Sequence, residues 1–268
     1  MLVGKSAYYA WLNRKPPSPE ATAAKLNLYA TIKRLFENSR ESLGNREMVK
    51  KLRKEGFKIG RYKVRTIMSE LGLFVRQRRA YKVTTKRCHS DAVAANLVNL
   101  DFEPKQPNEL WAGDVTYLKT AEGWMYLAVV MDLFSRKIVG WALESHMRTT
   151  LVAEALQQAY HTRKPSSGLV FHSDRGSQYT SQEYRELLQR FDITPSMGDV
   201  GACWDNAVVE RFFGSLKHDW ILKVTQPTRA HLRADVAQYM RYYNMDRLHT
   251  HNGDLSPVQF ESEFRNAA

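Results

Sequence analysis

Three apolar segments, 110–118, 124–131 and 137–143, follow one another on turns of a few residues. No helix fits between them, so they must pair as an antiparallel meander. The first, Leu-Trp-Ala-Gly-Asp-Val-Thr-Tyr-Leu, carries Asp114 in its middle. The second is a continuous apolar run, as expected of a strand covered on both faces. The period then changes. A helix is predicted over 149–163, with Val152, Ala155, Leu156 and Ala159 on one face. A short strand over 169–173 ends at Asp174. Thr180 is predicted to open the next helix, with Glu183 completing a capping box and Tyr184, Leu187, Leu188 and Phe191 forming its apolar stripe. A fifth strand is predicted over 193–197. Gly198 and Gly201 then mark a loop over 198–205, and a long helix starts near Asn206. Three antiparallel strands followed by alternating helix and strand describe a ribonuclease H-like α/β domain.

That order brings three carboxylates towards one place. Asp114 lies on a central strand and Asp174 at the end of a neighbouring one. Returning to the same end of the sheet takes one helix, one edge strand and one loop, after which Glu210 falls one turn into the last helix. Three crowded carboxylates repel one another unless cations compensate. Asp114, Asp174 and Glu210 are therefore read as catalytic metal ligands. Two Mg²⁺ ions are expected, about 3.5–4 Å apart, with Mn²⁺ as a substitute. Asp132 is assigned to a turn and Asp205 to the helix start. His172 shares a strand face with Asp174, and Asn206 can cap the helix that carries Glu210; both are candidates for a supporting shell around the ligands. Gly214 and Lys217 share a stripe with Asn206 and Glu210. A small residue there admits DNA closely, and Lys217 can hold a phosphate.

Charge is segregated along the chain. Residues 1–87 hold 22 Lys/Arg against 6 Asp/Glu, a net of +16, whereas the rest is at −4. A basic arm ahead of a mildly acidic body points to a polyanionic partner. Residues 1–38 read as helical, interrupted by the prolines at 16–19, with Leu28, Ile32, Leu35 and Phe36 as a packing stripe. Residues 39–75 read as two helices on a tight turn, resembling a helix-turn-helix unit. Asn45 is expected to cap the first. Val64, Ile67, Met68 and Leu71 face inward in the second, and Arg61, Lys63 and Arg65 face DNA. Residues 76–107 form a basic linker whose Arg76, Arg78, Arg79, Lys82, Lys86 and Arg87 are expected to lie along phosphates. The catalytic core is placed at 108–225 and a helical extension at 226–268. No apolar run approaches ~20 residues, so no membrane span is expected, and no signal-peptide pattern opens the chain. Cys88 and Cys203 form no Cys-x-x-Cys pair, which argues against a zinc ribbon or a disulfide framework and fits a reducing compartment.

Several patterns recur in a fixed order. They are Trp111-x-x-Asp114-Val-Thr-Tyr117, Asp132-x-x-Ser135-Arg136-x-Ile-Val-Gly140-Trp141 and His172-Ser-Asp174-x-Gly176-Ser-Gln178-Tyr179. Further along come Asp205-Asn206-Ala207-x-x-Glu210-x-Phe-Phe-x-x-Leu216-Lys217, then Tyr242-Tyr243-Asn244-x-x-Arg247-x-His249, then Ser256-Pro257. Together they resemble the IS-three family of bacterial insertion-sequence transposases, a branch of the DDE transposases and retroviral-type integrases. The resemblance covers nearly the whole chain. It implies that Asp114, Asp174 and Glu210 are the metal-binding triad of a Mg²⁺-dependent polynucleotidyl transferase. It also implies strand cleavage and strand transfer through a free 3′-hydroxyl, with element ends and target DNA held by a homo-oligomer in the bacterial cytoplasm. Because Met1 directly precedes Leu-Val-Gly-Lys-Ser, the chain resembles the second of two reading frames. An upstream-frame partner, joined by frameshifting, would supply a further DNA-binding region and a coiled coil. One departure stands out: the segment 197–204 is acidic where the family's is basic. Two other classes use the same features. One is a DNA-binding regulator derived from a transposase, and the other is a structure-selective nuclease of the same fold.

Overall fold

The computed structural model describes residues 4–12, 18–75, 94–98, 104–198 and 207–267. The chain divides into two compact units, Met1–Gln77 and Arg78–Ala268.

The first unit is helical. It contains α1 (Lys5–Leu12), α2 (Pro19–Asn38), α3 (Asn45–Lys54) and α4 (Arg61–Glu70). Ser18 caps α2 by accepting from the Ala21 amide, and Pro19 occupies the first turn, where no amide donor is needed. Ile32, Leu35 and Phe36 of α2 share one core with Met48, Val49 and Leu52 of α3 and Val64, Ile67 and Met68 of α4. The unit is thus a three-helix cluster in which α2 packs with the helix pair. Tyr29 donates to Glu70, and Arg34 Nη2 donates to Glu55 Oε2 at 2.6 Å, tying α2 to the other two helices. The expected Asn45 cap is not made. Gly44 takes the N-cap position with extended backbone, Asn45 starts the helix, and its Oδ1 instead accepts from Arg61 Nε. Glycine there loses little, because it adopts the cap conformation freely. Gly72, at φ +67°, ends the α4 turn in the left-handed region.

The second unit is built on a five-stranded mixed sheet in the order β3-β2-β1-β4-β5. Its strands are β1 (Leu110–Thr120), β2 (Gly123–Asp132), β3 (Lys137–Glu144), β4 (Val170–Ser173) and β5 (Thr194–Met197). β1, β2 and β3 pair antiparallel, as the short turns demand, whereas β4 runs parallel to β1 and β5 parallel to β4. Helices α5 (Thr149–Arg163), α6 (Ser177–Thr180) and α7 (Gln182–Arg190) provide the crossovers. On one face Trp111, Ala128, Val130 and Val139 pack against Leu151, Val152, Leu156 and Ala159 of α5 and Leu187 and Leu188 of α7. On the other, Leu110, Ala112, Leu127, Val129 and Met131 meet Val209, Phe212 and Phe213 of α8 (Ala207–Ser215) and Leu232, Val236 and Tyr239 of α9 (Arg229–Met245). Alternation along β1 sends odd residues to the first face and even residues to the second.

Two helix boundaries differ from the sequence expectation. Thr180 does not open α7. It closes the single turn α6, the chain breaks at Ser181 in extended conformation, and the Ser181 hydroxyl accepts from the Tyr184 amide. The long helix from Asn206 is also not uniform. α8 passes into a π-helical segment, Leu216–Trp220, and then a 3-10 turn, Ile221–Lys223.

The last helix, α10 (Pro257–Ala267), is held by a buried ionic hub. Arg163 donates to Asp132 Oδ2 at 3.0 Å and to Glu261 Oε2 at 2.8 Å, and Lys137 Nζ reaches Glu261 at 3.0 Å. Ser135 Oγ completes it by donating to Glu261 Oε1. Burial alone would raise the Glu261 carboxyl, but Arg163 and Lys137 outweigh it and hold the group below its usual range. Asp132 is pushed up, chiefly by burial, despite Arg163. Its oxygens also accept from the Asn108 and Phe134 amides, so it serves the turn as expected.

Candidate active site

Asp114 and Asp174 are placed by strand register. β1 and β4 pair in parallel up to Ala112 opposite His172, and each aspartate lies two residues beyond that pair. Equivalent positions on neighbouring strands are about 4.8 Å apart. Asp114 is an even residue of β1, so it points to the face covered by α8, the helix that carries Glu210. Two glycines make the register possible. A Cβ on Gly113 would stand 2.4 Å from the Phe171 ring, so only glycine lets β1 approach β4 there. A Cβ on Gly176 would stand 2.9 Å from Asp174 Oδ1, which already accepts from the Gly176 amide at 2.8 Å. Arg175 Nε donates to the Gly198 carbonyl at 2.7 Å, fixing this turn to the end of β5.

Asp114 and Asp174 are half-buried, and Glu210 is exposed on the first turns of α8. Three carboxylates are a donor set suited to a hard divalent cation. Among the described residues no three His, Cys, Asp or Glu side chains stand close enough to hold one ion. Lys217 is within electrostatic reach of Asp114. Burial lowers its pKa, and the charge of Asp114 opposes that shift. Its Nζ lies 4.6 Å from the centre of the Tyr117 ring. Gly214, one helical turn before it, has open space where a Cβ would stand.

The remaining expected residues are distributed as follows. His172 is fully buried, and its Nδ1 lies 3.0 Å from Ser196 Oγ on β5, so it ties β4 to its neighbour beneath Asp174. Arg61, Lys63 and Arg65 are all exposed on α4, Lys63 and Arg65 flanking its buried face and Arg61 lying at its first turn. Asn206, Asp205, Arg76, Arg78, Arg79, Lys82, Lys86, Arg87 and both cysteines lie outside the described residues.

Sequence reasoning missed what holds α8 in place. Arg247 Nη2 donates to Ser215 Oγ at 3.1 Å, and its Nη1 reaches Asp219 at 3.5 Å within the π-helical segment. Asn244 bonds the Ile138 backbone twice, and Tyr243 stands edge-on to Phe212 of α8 at 4.7 Å. The pattern Tyr242-Tyr243-Asn244-x-x-Arg247 is therefore a clamp between β3 and the helix of Glu210.

The chain is similar to several known proteins and families. The family described as "Integrase core domain" matches residues 104–203, a second of the same description matches 191–257, and an "HTH-like domain" matches 23–81. The "Transposase InsF for insertion sequence IS3A" of Escherichia coli (strain K12) is 37% identical over 265 residues, 97% of this chain and 91% of its own. The "Insertion element IS600 uncharacterized 31 kDa protein" of Shigella sonnei is 34% identical over 99% of this chain and 97% of its own. Among solved structures, a chain of the simian T-cell lymphotropic virus intasome in complex with PP2A regulatory subunit B56 gamma aligns with TM-score 0.52 and 18% identity. That alignment covers 76% of this chain and 67% of the other.

Proposed function

Because the chain belongs to the IS3 family of insertion-sequence transposases, with an integrase core behind a helix-turn-helix-like unit, we propose that Asp114, Asp174 and Glu210 form its metal-binding catalytic triad. The observation that carries this reading is the register: Asp114 and Asp174 each lie two residues past the Ala112–His172 pair of adjacent parallel strands, in the unit whose α8 carries the glutamate. The proposed ligands hold two Mg²⁺ ions, for which Mn²⁺ can substitute. When bound, the cations would neutralise charge at the reacting phosphate and lower the pKa of the attacking oxygen. Glu210 must turn its side chain inward to join the other two. Lys217 holds a phosphate oxygen beside Asp114, and its partial burial strengthens that contact. His172 and Asn206 are the residues proposed to support the ligands. The reaction proposed is cleavage at the element ends followed by attack of the freed 3′-hydroxyl on target DNA. The chain would act as a homo-oligomer on DNA in the bacterial cytoplasm, with an upstream-frame partner.

The basic residues have a separate task. Arg61, Lys63 and Arg65 on α4, with Arg76, Arg78, Arg79, Lys82, Lys86 and Arg87 after it, bind phosphates.

The test is a strand-transfer assay with matched element-end DNA. Asp114→Asn, Asp174→Asn and Glu210→Gln should each abolish cleavage and transfer while leaving DNA binding near that of the parent. A variant that cleaves at the parent rate is not a member of the triad. Binding without any cleavage by the parent chain points instead to a regulator, and cleavage without transfer to a nuclease.

A further inference from the structure

Among the described residues the pairing of β1 with β4 ends at Ala112, whereas β1 stays paired with β2 to Thr120 and β2 with β3 as far as Tyr126. The odd face of the β1–β2 hairpin presents two aromatic rings to solvent. Tyr117 and Trp124 are each 47% exposed, although both sit on paired strands of the catalytic unit. They are diagonal cross-strand neighbours, since Lys119 pairs with Trp124 and Tyr117 with Tyr126. Their rings meet edge-to-face, with centroids 5.3 Å apart. Lysines bracket the pair. Lys119 Nζ lies 5.9 Å from the Trp124 ring centre, and Lys217 Nζ lies 4.6 Å from that of Tyr117.

The hairpin is held in place. The Ala121 amide donates to the Gln226 carbonyl, and the Arg229 amide donates to Glu122 Oε2 at 2.7 Å. The rings therefore stand on a fixed support rather than on a loose loop.

We propose that Tyr117 and Trp124 form a stacking platform for an unpaired nucleotide of the DNA substrate, next to the reacting phosphate. Aromatic faces accept any base, and flanking lysines neutralise the phosphates that come with it. Lys217 connects the platform to the site, because it touches Tyr117 and is also within the electrostatic reach of Asp114. A phosphate held there by Lys217 leaves the adjoining base beside the exposed rings. Unpairing a base near the reacting phosphate costs free energy, and stacking it on protein offsets that cost. The platform rests on the reading of Asp114 as part of the reaction centre.

The test uses the full chain in EDTA, so that binding is read without catalysis. The probes are one duplex with a short single-stranded extension carrying 2-aminopurine and the same duplex blunt. Parent protein should quench the 2-aminopurine and prefer the extended probe. Trp124→Ala and Tyr117→Ala should abolish the quench and weaken the extended probe by at least about fivefold, with blunt-duplex affinity within about twofold. Trp124→Phe should restore much of both. Equal losses on both probes, or none on either, would overturn the platform. So would a change in oligomeric state with no change in affinity for the extension, since the face would then be a contact between proteins. Failure of the triad is distinguishable: it would appear as cleavage by Asp114→Asn, with the probe preference intact.

Discussion

At the scale of single residues, the site depends on atoms that are missing as much as on those present. A methyl group at position 176 would press on Asp174 Oδ1, the movable end of a side chain. Gly176→Ala should therefore displace the carboxylate and cut strand cleavage severely, at a stability cost under about 1.5 kcal/mol. Parallel denaturation and cleavage measurements would show this, and normal cleavage would refute it. Gly140 behaves differently, because its Cβ would meet the Ala155 carbonyl at 2.2 Å, and backbone cannot step aside. Gly140→Ala should cost at least about 1–3 kcal/mol, read from the denaturation midpoint. His249 adds a pH dependence. Burial, then the charges of Arg247, His251 and Arg136, lower its pKa from 6.5 to about 3. Between those values the unfolded chain takes up the proton more readily than the folded one, so the contribution of His249 falls as pH drops through the window. His249→Gln should show a shallower loss of stability below about pH 6 than the parent. Superimposed curves would remove His249 from the acid limb.

At the scale of elements, the sequence was informative wherever an apolar period ran uninterrupted. The three meander strands, α5 and the inward stripes of α2 and α4 stand where their patterns place them. The positions of Asp114 within β1 and of Asp174 directly after β4 were legible for the same reason, because both follow from the strand patterns. Boundaries set by local backbone choices were not. Gly44 stands at the cap where Asn45 was expected, with the Asn45 side chain bonded to Arg61 instead, and Ser181 rather than Thr180 accepts from the first-turn amide of α7. The π-helical segment after α8 was invisible, and so was its tie to Arg247, about thirty residues later, whose guanidinium bonds Ser215. The clamp of α10 was hidden likewise. Arg163, Asp132 and Glu261 look like ordinary surface charges until folding buries them together. Arg163→Met should leave two buried carboxylates without their main partner and destabilise the second unit by about 3–5 kcal/mol. Thermal unfolding of that unit is the measurement, and a loss under about 1 kcal/mol would make the hub ornamental.

At the scale of the whole molecule, charge and chemistry are divided along the chain. The helical unit and the basic stretch after it, 1–87, carry a net of +16, and the remainder is at −4. Affinity for duplex should therefore come mostly from the first 87 residues. Each phosphate they neutralise contributes roughly −0.9 to the slope of log K against log salt. Removing 1–87 should flatten that slope and weaken binding; an unchanged slope for 88–268 would place the anchor in the catalytic body instead. The hub at Arg163 has a consequence for how the protein is made. One of its acidic partners, Glu261, lies 98 residues downstream. While a ribosome is still adding the C-terminal stretch, Arg163, Lys137 and Ser135 all wait for a carboxylate that has not been synthesised. The sheet-based unit is thus completed only once Glu261 has been made, and a message cut short before Pro257 would leave a core lacking α10.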